Sequence, residues 1–143
     1  MSQWTHVCGC IRVDWIESLS GSPVKMLREH FGQTCNYDSP DEDWNACNVP
    51  CGSEGSLQYT IQRTGGENSL AWGLVYLWGD LRDYGTDGTR GTPDDIFAWL
   101  VKTIDGLYLR GCAVKVDVEF GDSYLICDSV DRKLDMIKLV AVA

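Results

Sequence analysis

Trp4-Thr5-His6-Val7-Cys8-Gly9-Cys10-Ile11-Arg12-Val13-Asp14-Trp15 is the stretch on which the fold turns. Its residues alternate, which predicts a long β-strand: Thr5, Val7, Gly9, Ile11, Val13 and Trp15 share one face, and Trp4, His6, Cys8, Cys10, Arg12 and Asp14 share the other. A strand with one aliphatic face and one mixed aromatic and polar face belongs inside a sheet that is covered on one side only.

Working outward, Ser22-Pro23 supplies an N-cap and a proline at the first helical position. Val24, Leu27 and Phe31 give an apolar stripe, and Gly32 suits the helix stop. A long irregular segment from Gln33 to Gly55 follows, with Cys35, Cys47, Cys51 and the acidic run Asp38, Asp41, Glu42 and Asp43. Within it, Ser39-Pro40 with Glu42 predicts one helical turn that buries Trp44 and Cys47. Leu57, Tyr59 and Ile61 alternate with Gln58, Thr60 and Gln62 as a second strand, Gly65-Gly66 makes a turn, and Leu70 to Leu81 is a third strand, apolar on both faces.

Thr92-Pro93-Asp94-Asp95 opens a second helix, with acid in its first turn to suit the dipole. Ile96, Phe97, Leu100, Val101, Ile104 and Leu107 recur at helical spacing, and Gly111 closes the unit. A fourth strand, Cys112 to Phe120, turns at Gly121-Asp122 into a fifth, Ser123 to Cys127, and Lys133 to Val142 reads as a sixth, with a helix as the alternative. The order is β-α-β-β-α-β with a β-rich tail. The expected fold is therefore α+β, a ferredoxin-like split βαβ core with additional C-terminal strands, in one domain spanning residues 1–143.

In that topology the first and third strands are central and both helices cover one face. The opposite face then collects Trp4, His6, Cys8, Cys10 and Arg12 with Trp72, Leu74, Tyr76, Trp78, Asp80 and Arg82, flanked by Gln58 and Lys115. The C-terminal strands or a second subunit would cover it, or it would bind a small molecule or peptide. Base stacking on central-strand aromatics is a further use of such a face, but the third strand lacks the glycine-aromatic signature it requires.

Composition narrows the function classes. Six Trp and six Tyr exceed what a core of 143 residues needs, which points to aromatics on a contact surface. A net charge of −9 argues against nucleic-acid and anionic-membrane partners. No apolar run approaches the roughly 20 residues of a membrane span, and the start Met1-Ser2-Gln3-Trp4-Thr5-His6 has no signal-peptide pattern. The expected location is the cytoplasm, where the seven Cys are reduced thiols that pack as small hydrophobes.

Candidate chemistry is sparse. Cys47 and Cys51 with Cys35 and His30 or His6 lack the second tight pair of a zinc site. His6, Cys8 and Cys10 share a strand face, which makes a metal- or thiol-dependent enzyme the alternative, but the sequence identifies no orienting acid. Trp78-Gly79-Asp80-Leu81-Arg82-Asp83-Tyr84-Gly85 gathers carboxylates, an arginine and aromatics where a central strand meets a glycine-rich loop, a common place for a binding site. In the packing alternative, Arg82 pairs with a carboxylate and Tyr84 packs over the second helix. Arg90, between Gly85 and Gly91, is placed to hold an anion at the second helix.

Three blocks carry a resemblance: Trp4-Thr5-His6-Val7, Asn48-Val49-Pro50-Cys51-Gly52-Ser53-Glu54-Gly55-Ser56-Leu57-Gln58-Tyr59, and Trp78 to Tyr84. Together they resemble small bacteriophage-encoded proteins. The resemblance implies a cytoplasmic phage accessory protein, of a kind that antagonises host defence by occupying a host protein or sequestering a nucleotide signal. The sequence-based expectation is a non-enzymatic binding protein without cofactor, metal or catalytic set, in a homo-oligomer. Its contact residues are Trp4, His6, Arg12, Trp72, Tyr76, Trp78, Asp80, Arg82, Asp83, Tyr84 and Arg90. A structural or assembly component of a phage is a third possibility.

Overall fold

A computed structural model describes residues 3–16, 23–34, 49–64, 70–84 and 92–140. Along the chain these form β1 (Trp4–Ile16), α1 (Pro23–Phe31), β2 (Gln58–Thr64), β3 (Leu70–Arg82), α2 (Pro93–Ile104), β4 (Tyr108–Val118), β5 (Ser123–Asp128) and β6 (Leu134–Leu139). The fold is α+β. Its sheet runs in the order β2-β3-β1-β4-β5-β6, and every neighbouring pair is antiparallel.

The alternation in β1 has the predicted consequence. Val7, Ile11 and Val13 are buried, as are Val75, Leu77 and Leu81 of β3 and Val114 and Val116 of β4. Both helices close over this face, α1 with Leu27 and Phe31 and α2 with Ile96, Leu100 and Ile104. Phe31 is the hinge of the packing, 5.2 Å from the ring of Tyr59 and 6.0 Å from that of Trp99. The Tyr59 hydroxyl donates to the Gly32 carbonyl at 2.6 Å, so one tyrosine ties β2 to the end of α1. Burying a side chain of Phe31's size contributes about 1.5–3 kcal/mol.

Each helix terminus has a local cause. Gly32, at φ 82°, donates its N–H to Arg28 and takes the left-handed turn that stops α1. At the start of α2 the Asp95 carboxylate accepts from the Thr92 backbone N–H at 2.6 Å and from its hydroxyl at 3.2 Å. The helix stops at Ile104, short of Leu107, because Gly106 at φ 82° turns the chain; Leu107 still packs against the core. Val101, expected in the apolar stripe, is 43% exposed.

Three expectations are corrected. First, β5 and β6 lie in the plane of the sheet beyond β4, so they lengthen it to six strands and do not lie over the open face. Second, β4 begins at Tyr108, and Gly111 is inside it. A bulge opposite Arg12 and Val13 inserts a residue there, so that Leu109 and Cys112, three apart, both point into the core. Third, the β4–β5 turn is wider than Gly121-Asp122: Val118 bonds Asp122, and the residue with positive φ is Phe120, at 61°. The predicted turns at Ser39-Pro40 and Gly65-Gly66 lie outside the described residues.

Candidate functional site

The strand pairing fixes what stands side by side on the face without helices. Gln58, Trp78, Cys8 and Lys115 form one row across the four strands from β2 to β4. Thr60, Tyr76, Cys10 and Ala113 form the next. Asp80, His6 and Asp117 lie to one side of these rows; Leu74, Arg12 and Gly111, then Trp72, Asp14 and Tyr108, lie to the other. Trp78 is 46% exposed and Tyr76 37%, in the middle of a sheet. Trp4 and Trp72 are half-buried. These aromatics are therefore not consumed by the core.

At one end the Pro50–Ser56 segment presses onto the end of β3. Ser53 N–H donates to the Arg82 carbonyl, and Arg82 N–H donates to the Glu54 carbonyl, both at 2.9 Å. Glycine is required for this approach: a Cβ on Gly55, at φ 77°, would sit 1.9 Å from the Asp80 carbonyl oxygen. The Arg82 side chain pairs with Glu54 at 2.6 Å and lies 3.8 Å from Asp83. Asp83, at φ 53°, receives the Gln3 N–H at 3.0 Å on its carboxylate. The result is an open groove of about 580 Å³ whose polar lining includes His6, Cys8, Ser56, Gln58 and Asp80, beside Trp78.

His6 is the most constrained ionisable group there. Its Nδ1 lies 2.6 Å from Asp80, and its Nε2 lies 3.8 Å from Glu119. The hydrogen bond to Asp80 raises its pKa above 6.5 against some loss from burial, and the charges of Asp117 and Glu119 add to the rise. With both nitrogens facing carboxylates, the protonated imidazole is favoured over the neutral one. It makes no hydrogen bond to the exposed Cys8 thiol.

The other end is built around arginines. Asp14, with a side chain 7% exposed, takes Arg110 at 3.0 Å on one oxygen and Arg12 at 3.4 Å on the other. The Arg12 guanidinium lies over Trp72 at 4.5 Å, and that of Arg132 lies over Tyr108 at 4.1 Å. Tyr108, Arg110 and Arg132 were not expected here. The bulge brings Arg110 outward, and the turn between β5 and β6 brings Arg132 back over β4; the Arg110-Gly111 pair inside a strand pattern was the available signal.

The sequence-predicted residues thus divide. His6, Trp78, Asp80, Arg82 and Asp83 gather at the groove end, where the predicted Arg82–carboxylate pair is formed by Glu54. Trp4 stands opposite Arg82, and Tyr76 sits between the two ends. Arg12 and Trp72 belong to the far end. Tyr84 is buried with the core, 7% exposed, as in the packing alternative, and burial raises its hydroxyl pKa. Arg90 lies outside the described residues.

Among the described residues no group of His, Cys, Asp and Glu is arranged to hold a metal ion; Cys35 and Cys47 lie outside them. Cys112 behaves as the expected buried thiol, with burial pushing its pKa up to about 12, whereas Cys8 is exposed. No described helix is long and apolar enough to cross a membrane. Comparison with protein-family models, curated proteins and solved structures found no match, so the site is read from its own geometry.

Proposed function

We propose that the chain is a non-enzymatic binding protein of the bacteriophage accessory kind that it resembles. It would engage a host protein or a small, nucleotide-like ligand through the open sheet face, antagonise host defence in the host cytoplasm, and work as a homo-oligomer. One observation carries the binding role: Tyr76 and Trp78 stand 37% and 46% exposed at mid-sheet, and Trp78 lines the open groove that also holds His6, Gln58 and Asp80. Exposed aromatics grouped within a polar margin are the usual composition of a contact surface. The open face also favours a ligand over a covering by the C-terminal strands, since β5 and β6 are spent on extending the sheet.

A thiol-dependent enzyme is disfavoured by a specific contact. A base that activates Cys8 needs a nitrogen directed at it, and both nitrogens of His6 face carboxylates instead. For the scaffold, the proposed core is the ferredoxin-like split βαβ unit of β1–β4. Its support is the partial order β2-β3-β1-β4 with both helices on one face. That scaffold serves many unrelated functions and does not choose among them.

Native mass spectrometry of protein released directly from cells tests the binding role. Wild type is expected to carry a partner or ligand mass that Trp78→Lys loses. Both proteins at the bare chain mass, or the same adduct on both, contradicts it.

A further inference from the structure

We infer that the Trp72–Asp14–Tyr108 end of the open face binds a phosphorylated small molecule through Arg12, Arg110 and Arg132. The inference rests on the binding role proposed above and names the chemistry of a ligand for that face. The chain carries 21 acidic and 12 basic residues, so an anion gains nothing from the overall field and depends on a local cluster. Here two guanidiniums share the Asp14 carboxylate, and a third, that of Arg132, lies over the ring of Tyr108, the strand residue paired with Asp14. Three positive charges therefore stand against the one carboxylate.

The geometry presents those charges. Arg12 and Arg110 both reach Asp14 with Nε, and their side chains remain 44% and 46% exposed. Arg132 makes no ion pair with any described residue. It is carried on a turn closed by Ser129 N–H to the Lys133 carbonyl and Arg132 N–H to the Ser129 carbonyl, with its own backbone left-handed at φ 60°. Arg12 lies over the Trp72 ring at 4.5 Å and Arg132 over the Tyr108 ring at 4.1 Å, contacts that restrict where each guanidinium sits. A guanidinium is planar and offers paired N–H donors, which suit bidentate capture of an oxyanion.

A phosphate monoester or diphosphate matches the double surplus of charge, whereas a single carboxylate neutralises half of it. A long polyanion such as nucleic acid would meet the acidic remainder of the surface. A structural ion-pair network would account for Arg12 and Arg110, but not for Arg132, which lies over the exposed Tyr108 ring and makes no ion pair among the described residues.

Calorimetric titration of the full chain with pyrophosphate, and separately with a nucleoside diphosphate, tests the inference. Both are expected to bind and to weaken as salt rises. Arg132→Ala should weaken each by roughly tenfold or more, the scale of one lost charge-assisted contact. Arg132 sits on an exposed turn, so this variant removes no buried partner, and Lys138→Ala on β6 should leave affinity unchanged. Tighter binding of the nucleoside diphosphate identifies a nucleotide as the source of the phosphate; equal binding means that phosphate alone is read. No binding of either, or affinity indifferent to Arg132, overturns the inference. The broader binding role is judged separately at Trp78, whose row lies six β1 residues from Asp14, roughly 20 Å at strand rise.

Discussion

His6 shows how far a single residue could be read. Its place on the open face follows from the alternation around it, but its partners do not. Asp80 comes from β3, and Glu119 from just beyond β4, far away in sequence. Their effect is measurable. The folded pKa lies above 6.5, so the interaction stabilises fully below pH 6.5 and is lost as pH rises through the folded value. Nuclear magnetic resonance titration is expected to place the His6 midpoint above 6.5 and to find it lowered in Asp80→Asn. His6→Gln should remove this component of the pH dependence of unfolding. An imidazole titrating at or below 6.5 would break the assignment. Tyr84 is the converse case: its position beside a glycine-rich loop suggested a contact residue, and its burial in the core is not legible in local pattern.

At the scale of elements, β1, β3 and α2 were legible because each has a sustained period and a large apolar stripe. The ends were less so. Period-two alternation cannot register a bulge, so β4 was shortened to the part after Arg110 and Gly111, and the arginine cluster went unseen with it. The Pro50–Ser56 segment was also opaque. It contains no periodic run, yet its glycines allow it to lie against the end of β3 and wall the groove. Gly55→Ala places a Cβ against the Asp80 carbonyl at a positive φ, and is expected to cost about 2–4 kcal/mol in denaturant unfolding. The loss should be accompanied by a weakened Glu54–Arg82 contact. A neutral substitution would show that the segment does not hold this position.

For the whole molecule, the chain order and the two unlike sheet faces could be anticipated, because six alternating or apolar segments and two capped helices leave few ways to bury one aliphatic face. The destination of the C-terminal strands could not, since alternation is equally compatible with extending a sheet and with covering it. Their place at the edge leaves Tyr76, Trp78 and Tyr108 uncovered on the sheet, and this is what makes the open face the centre of the account. Hydroxyl-radical footprinting, run inside cells and on the purified chain freed of ligand by unfolding and refolding, tests that centre directly. Tyr76, Trp78 and Tyr108 are expected to be protected in cells and modified in the refolded chain, while Phe120 on the β4–β5 turn and Val101 on α2 react alike in both. Equal modification of the three open-face aromatics in both settings would contradict the account.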